Sequence, residues 1–222
     1  MHNDNIIIVI NSNTSSEKAL THLIDSIKTD QRYKQYEIIV FIGGCYELLN
    51  YEFDKNENFT YIKCNFNSLD FTSFIALSEL YSNDIENKYL YLHDTCKVGN
   101  TFFDILERID VENMTSIRIN KQFSNNIGFY SQSWINEHKS FLQNIKTSEP
   151  IDITFKKKIV RLEDVMFKND KNNRLLDNYD GWQYTGPTDY YKTGTMRIVE
   201  YYPNLDLYKI KANWGQHWTI DN

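Results

Sequence analysis

Tyr89-Leu90-Tyr91-Leu92-His93-Asp94-Thr95-Cys96 sets a short apolar run against an abrupt polar stop. Such a run reads as a strand buried on both faces of a sheet, with the polar residues spilling over its carboxyl end. The same grammar recurs upstream. Ile6-Ile7-Ile8-Val9-Ile10 is a continuous β-branched run followed by Asn11-Ser12-Asn13-Thr14. Thr14 and Glu17 have capping-box spacing. Behind them Ala19, Leu20, Leu23, Ile24 and Ile27 form an apolar helical stripe. Glu37-Ile38-Ile39-Val40-Phe41-Ile42 is a second strand, stopped by Gly43-Gly44, and Phe59-Thr60-Tyr61-Ile62-Lys63-Cys64 is a third. Asp70 can cap a helix carrying Phe71, Phe74, Ile75, Leu77, Leu80 and Tyr81, and Asn100 can cap another over residues 101–109.

This β-α-β-α-β-α-β order predicts an α/β fold, Rossmann-like, with a mostly parallel sheet and helices on both faces. In such sheets ligands bind outside the carboxyl ends of the strands, where strand order reverses. The second half is less regular. Residues 115–120 and 126–130 read as strands, the latter leading into a helix with Trp134, Ile135, Phe141, Leu142 and Ile145. Residues 158–162 read as a strand ending at Glu163-Asp164, residues 168–195 as a long loop or lid, and residues 196–199 and 207–212 as late strands or a hairpin. With 3 Pro and 8 Gly, no linker divides the 222 residues, so one domain over 1–222 is expected.

Composition narrows the function. Apolar residues at 41% suit a globular chain, and no apolar run approaches the roughly 20 residues of a membrane span. The formal charge of −6 is the wrong sign for a general phosphate-backbone binder, so no nucleic-acid partner is expected. Met1-His2-Asn3-Asp4-Asn5 is polar and unlike a secretory leader. Three scattered cysteines (Cys45, Cys64, Cys96) form no CxxC pair, which fits a reducing compartment better than a disulfide scaffold or a cysteine zinc site. A soluble, cytoplasmic protein is expected, compatible with peripheral attachment at a membrane.

Four constellations can carry chemistry, each with a plainer competing reading. Asp94, between His93 and Thr95 at a strand end, can hold a hard divalent cation against phosphates, or simply cap a turn. Glu163 and Asp164 can supply a general base for an acceptor hydroxyl, or form an exposed acidic helix start. Asn11, Ser12 and Asn13 can read a nucleobase and ribose, or cap a helix. Asn213, Trp214, His217 and Trp218 can stack on and hydrogen-bond a sugar, or close a core edge. There is no Walker A sequence, no GxGxxG, no HExxH and no GxSxG elbow.

In this order and spacing the chain resembles a glycosyltransferase of the GT-A fold, of the family-2-like kind that uses nucleotide sugars. The likeness covers most of residues 5–168. His93-Asp94-Thr95 falls where that family carries its DxD motif, Asn100-Thr101-Phe102-Phe103 where its next helix starts, and Glu163-Asp164 where inverting members carry their catalytic base. The chain departs from the family in lacking one DxD carboxylate and in ending the second strand with Gly43-Gly44-Cys45.

The resemblance implies a nucleotide-sugar-binding half over about 1–110 and an acceptor-side half over about 111–222. It implies a nucleoside-diphosphate sugar donor, most often a UDP-sugar, and transfer of a hexosyl or deoxyhexosyl group to a glycan hydroxyl with inversion. Asp94 would hold Mn or Mg, helped by His93 or His217. Asn11, Ser12, Asn13, Gly43, Asp70, His93 and Thr95 would bind the donor, and Asp164, or else Glu163, would be the base. Asn213, Trp214 and His217 would meet the carbohydrate acceptor. The incomplete DxD also admits a non-catalytic carbohydrate- or nucleotide-binding module on a degenerate transferase fold. A nucleotidyltransferase ranks last, because Asn11 to Ser16 holds neither glycine nor a basic residue.

Overall fold

The computed structural model describes residues 6–111, 114–119, 127–170, 173–176 and 183–212. The chain runs through β1 (Ile6–Asn13), α1 (Glu17–Lys28), β2 (Ile38–Gly43), β3 (Glu52–Asn56), β4 (Phe59–Lys63), α2 (Thr72–Leu80) and β5 (Lys88–His93). It continues with β6 (Cys96–Val98), α3 (Phe102–Leu106), β7 (Ser116–Arg118), β8 (Gly128–Ser131), α4 (Gln132–Glu137) and α5 (Lys139–Asn144). Last come α6 (Ile153–Asn169), β9 (Asn173–Leu175), β10 (Gln183–Thr188), β11 (Arg197–Tyr202) and β12 (Leu207–Ala212).

One mixed sheet has the order β3-β4-β2-β1-β5-β8-β7-β9. Its centre β4-β2-β1-β5 is parallel, while β3 and β8 run antiparallel to their neighbours β4 and β5. The α/β reading therefore holds, with helices on both faces. Alternation along β1 sends Ile8 and Ile10 to the face covered by Leu23 and Ile27 of α1 and Phe102, Phe103 and Leu106 of α3. Val9 goes to the face covered by α2, α4, α5 and α6. Residues Thr72 to Ser78 of α2 are all buried, because the sheet lies on one side and α4 and α5 on the other. The expected helix between the second and third parallel strands is absent. β3 occupies that connection as an exposed edge strand.

The largest departure is α6. Residues 158–162 form no strand. They lie inside a helix whose first turn is capped by Asp152, its Oδ1 accepting from Phe155 N at 2.7 Å. The β-branched pair Ile159-Val160 suggested a strand, but Phe155, Ile159, Leu162 and Met166 recur at helical spacing and pack into the α2-side core. Residues 168–195 are also not one long loop. They contain the end of α6, β9 and β10.

The C-terminal region is more regular than expected: β10-β11-β12-β6 form a second, antiparallel sheet. The predicted hairpin of residues 196–199 and 207–212 is its β11-β12 pair. Its turn is locked by Asp206, whose carboxylate accepts from Thr101 N at 2.8 Å, Thr101 Oγ1 at 2.7 Å and Tyr201 OH at 3.1 Å. Asp206, and not Asn100, therefore serves the start of α3. A Cβ at Gly99 would fall 2.1 Å from Asp206 Oδ1, so only glycine fits there.

Near the end of α2, Glu79 accepts from Lys146 Nζ at 2.8 Å, Gln143 Nε2 at 2.9 Å and the Tyr51 hydroxyl, joining three segments. Burial pushes its carboxyl up, but the hydrogen bonds from Lys146, Tyr51 and Gln143 outweigh burial and hold it below its ordinary value of 4.5. Its stabilisation is complete above 4.5 and is lost as pH falls through the lowered folded value. Glu79→Gln should thus be less stable than wild type near neutrality, with the gap closing in acid. Urea denaturation across that range checks this, and a gap that does not depend on pH would contradict it.

Candidate functional site

From β1 the chain fills the sheet outward through β2 and β4, then returns to the other side of β1 with β5. Strand order reverses there, which is where open α/β sheets place a ligand crevice, outside the carboxyl ends of β1 and β5. The register pairs Asn11 with His93, and Asp94 N–H donates to the Asn11 carbonyl at 2.9 Å. Asn11, Ser12, His93, Asp94 and Thr95 are thus brought together, as the sequence suggested.

What they do there is partly different. Asn11 is buried, and its Oδ1 accepts from Ser73 N at 3.0 Å and Ser73 Oγ at 2.8 Å. Its Nδ2 donates to the Leu69 carbonyl at 3.1 Å. The amide that could have read a nucleobase instead staples the start of α2 to β1. Asn13 Oδ1 accepts from Ser15 N at 3.0 Å and so shapes the β1-α1 turn. The N-cap of α1 is Ser16, and Thr14 does not serve as the expected cap.

Gly43 ends β2 in a tight spot. A Cβ would lie 3.1 Å from Thr72 Cγ2 and 3.2 Å from the Phe66 carbonyl oxygen, so packing accounts for this glycine. Asp70 is in the short 3₁₀ turn Leu69–Phe71 ahead of α2, rather than at the helix N-cap. Its Oδ1 lies 3.8 Å from His93 Nδ1, which brings it to the same crevice.

Asp94 is 6% exposed and accepts from Ser12 Oγ at 3.0 Å. Burial raises its carboxyl above the ordinary value, against the attraction of Lys209 and hydrogen bonds from Ser16 and Ser12. Lys209, on β12, is 8% exposed and was not singled out from the sequence. Its Nζ donates to His93 Nδ1 at 2.7 Å and to Thr95 Oγ1 at 2.6 Å. Nothing in the local sequence marks it, since Leu207, Lys209 and Lys211 share one face of an ordinary-looking strand. Burial also pushes the neighbouring Cys96 thiol up to about 11, which keeps it neutral.

A hard divalent cation wants several oxygen ligands. Asp94, the expected ligand, accepts from Ser12, and its expected helper His93 accepts from an ammonium, while the other, His217, lies outside the described residues. So engaged, the His93 ring nitrogen is not free to help hold Mn or Mg. Among the described residues no group of three or more His, Cys, Asp or Glu could hold a metal.

Glu163 and Asp164 lie within α6 and not at a strand end. That helix packs into the α2-side core and touches the Leu69–Phe71 turn. Asn213, Trp214, His217 and Trp218 lie outside the described residues. Two grooves of about 420 and 360 Å³, one along α6 and one beside β7 and β9, share no residue with the crevice. No described helix is long and apolar enough to cross a membrane. Comparison with family models, with curated proteins and with solved structures gave no match.

The Asn11 staple makes a direct prediction. Asn11→Ala leaves buried partners at Ser73 and Leu69 unsatisfied and should cost about 2–4 kcal/mol by chemical denaturation. A loss below about 0.5 kcal/mol, the scale of an ordinary surface change, would contradict the staple.

Proposed function

We propose that the chain is a nucleotide-sugar-dependent glycosyltransferase of GT-A type, using the β1-β5 crevice for the donor diphosphate. The observation that carries this reading is the cluster of hydroxyls and charge at the reversal point, Ser12, His93, Asp94 and Lys209 buried and Ser16 and Thr95 half-buried. A reversal point is where open α/β sheets place phosphorylated ligands. Burying an ammonium and a carboxyl is costly, and structure alone has cheaper ways to close a strand end.

In this mechanism the acceptor oxygen attacks the anomeric carbon as the bond from that carbon to the diphosphate oxygen breaks. The nucleoside diphosphate departs with that bond's electron pair. The acceptor proton passes to a carboxylate, for which Asp164, then Glu163, are the candidates. Their place on α6, the helix beside the Leu69–Phe71 turn, supports that choice. Asn213, Trp214 and His217 are proposed for the acceptor. The larger part of the acceleration falls to stabilising charge on the departing diphosphate.

Release of nucleoside diphosphate from a panel of donor sugars, with and without glycan acceptors, tests the reading. Turnover with at least one donor is expected. Asp164→Asn should lose about a hundredfold or more of the transfer rate while still binding UDP, the scale of a lost general base. Full transfer by both Asp164→Asn and Glu163→Gln would remove these carboxylates from the mechanism. Binding across the panel without turnover would favour a non-catalytic binding module.

A further inference from the structure

Lys209 sits among the side chains that a metal-dependent site would use to grip its cation. An ammonium has three N–H donors and no acceptor. Two of them are spent, on His93 Nδ1 at 2.7 Å and Thr95 Oγ1 at 2.6 Å. An ammonium can only donate, so Nδ1 is the acceptor in that contact, and Glu200 is the residue paired with Lys209 on β11. The third N–H of Lys209 has no hydrogen-bond partner among the described residues, although Lys209 is 8% exposed. A buried charged donor left in that state is a place where an anion is stabilised strongly.

Two further buried donors lie on the opposite face of the second sheet. The Tyr191 hydroxyl is buried with no partner among the described residues, and it lies within electrostatic range of Asp94 and Cys96. The Arg197 guanidinium lies 5.2 Å from the centre of the Tyr191 ring, and its Nε is likewise buried without a partner. By the β11-β12 register Lys209 shares its face with Glu200, whereas Arg197 and Tyr191 belong with Val199 and Ile210 on the opposite face, so these two donors are separate from the Lys209 contact. All three belong to the stretch from residue 191 to 209, on or leading into the second sheet, which meets the first at His93–Thr95.

Resting on the crevice as the donor site, we propose that the Lys209 ammonium, positioned by His93 and Thr95, takes the role of a divalent cation there. It binds the donor diphosphate and neutralises the leaving group without metal. The missing DxD carboxylate then has a physical reason. A lysine brings its own charge and needs acceptors to aim it, whereas a divalent cation needs several anionic oxygens to hold it.

Calorimetric titration of the wild-type chain with UDP, pyrophosphate and uridine, in EDTA and in Mn, tests the proposal. UDP should bind with the same affinity, within about threefold, in EDTA and in Mn. Lys209→Met should weaken UDP and pyrophosphate by about tenfold or more, the scale of a lost charge-assisted hydrogen bond, and leave uridine unchanged. Lys209→Arg should retain most of the UDP affinity. If Lys209→Met fails to fold, the wild-type metal comparison and Lys209→Arg still decide.

UDP binding that appears only with Mn overturns the proposal and leaves the crevice reading intact. So does UDP binding by Lys209→Met that equals wild type. Loss of uridine and UDP together in a folded Lys209→Met reduces Lys209 to a structural role and also overturns the proposal. No binding of any nucleotide, with or without metal, removes the crevice reading itself.

Discussion

An ammonium carried into a nearly dry interior must find acceptors, or the chain forfeits several kcal/mol of its small net stability. Lys209 meets that demand with His93 and Thr95, and much of the architecture around the crevice follows. The contact draws β12 to the carboxyl end of β5. There Ile210 N–H donates to the Thr95 carbonyl at 2.8 Å, and β6 joins the second sheet directly after the polar stop. Asp206 closes the far end of the same junction onto Gly99 and Thr101. Residues 93–101 are therefore stitched between two sheets, and a site built on them is held rigidly.

The crevice illustrates how a strand end divides its polar groups between building and binding. Asn11 spends its whole amide on Leu69 and Ser73, and Asn13 serves its own turn. Gly43 is small because Thr72 and Phe66 press on it. What the second sheet adds at the end of β5 is Lys209, held by His93 and Thr95. A phosphate held there would meet a donor already aimed and already desolvated, which is the economical arrangement for stabilising a departing anion.

Three of the four strands of the parallel centre were legible as uninterrupted apolar runs with an abrupt stop: Ile6 to Ile10, Ile38 to Ile42 and Tyr89 to Leu92. Burial on both faces writes itself into local sequence in this way. Strands with one exposed face do not, and β3, exposed along its length, was missed with β6, which has only three residues. α6 was misread because Ile159-Val160 favours a strand locally, whereas its helical period spreads over 155–166 among four Lys and Arg. Convergence of Asn11, His93 and Asp94 followed from strand order alone. The partners that define their chemistry did not. Lys209 is 115 residues beyond Asp94, and no periodicity reveals which side chain will end up beside it.

A diffraction structure of the chain grown with UDP tests the central claim most directly. The account predicts the diphosphate in the β1-β5 crevice, with an oxygen about 3 Å or less from Lys209 Nζ, the distance of a charge-assisted hydrogen bond. UDP bound elsewhere, such as in the groove along α6 or the one beside β7 and β9, with Lys209 untouched, would contradict it.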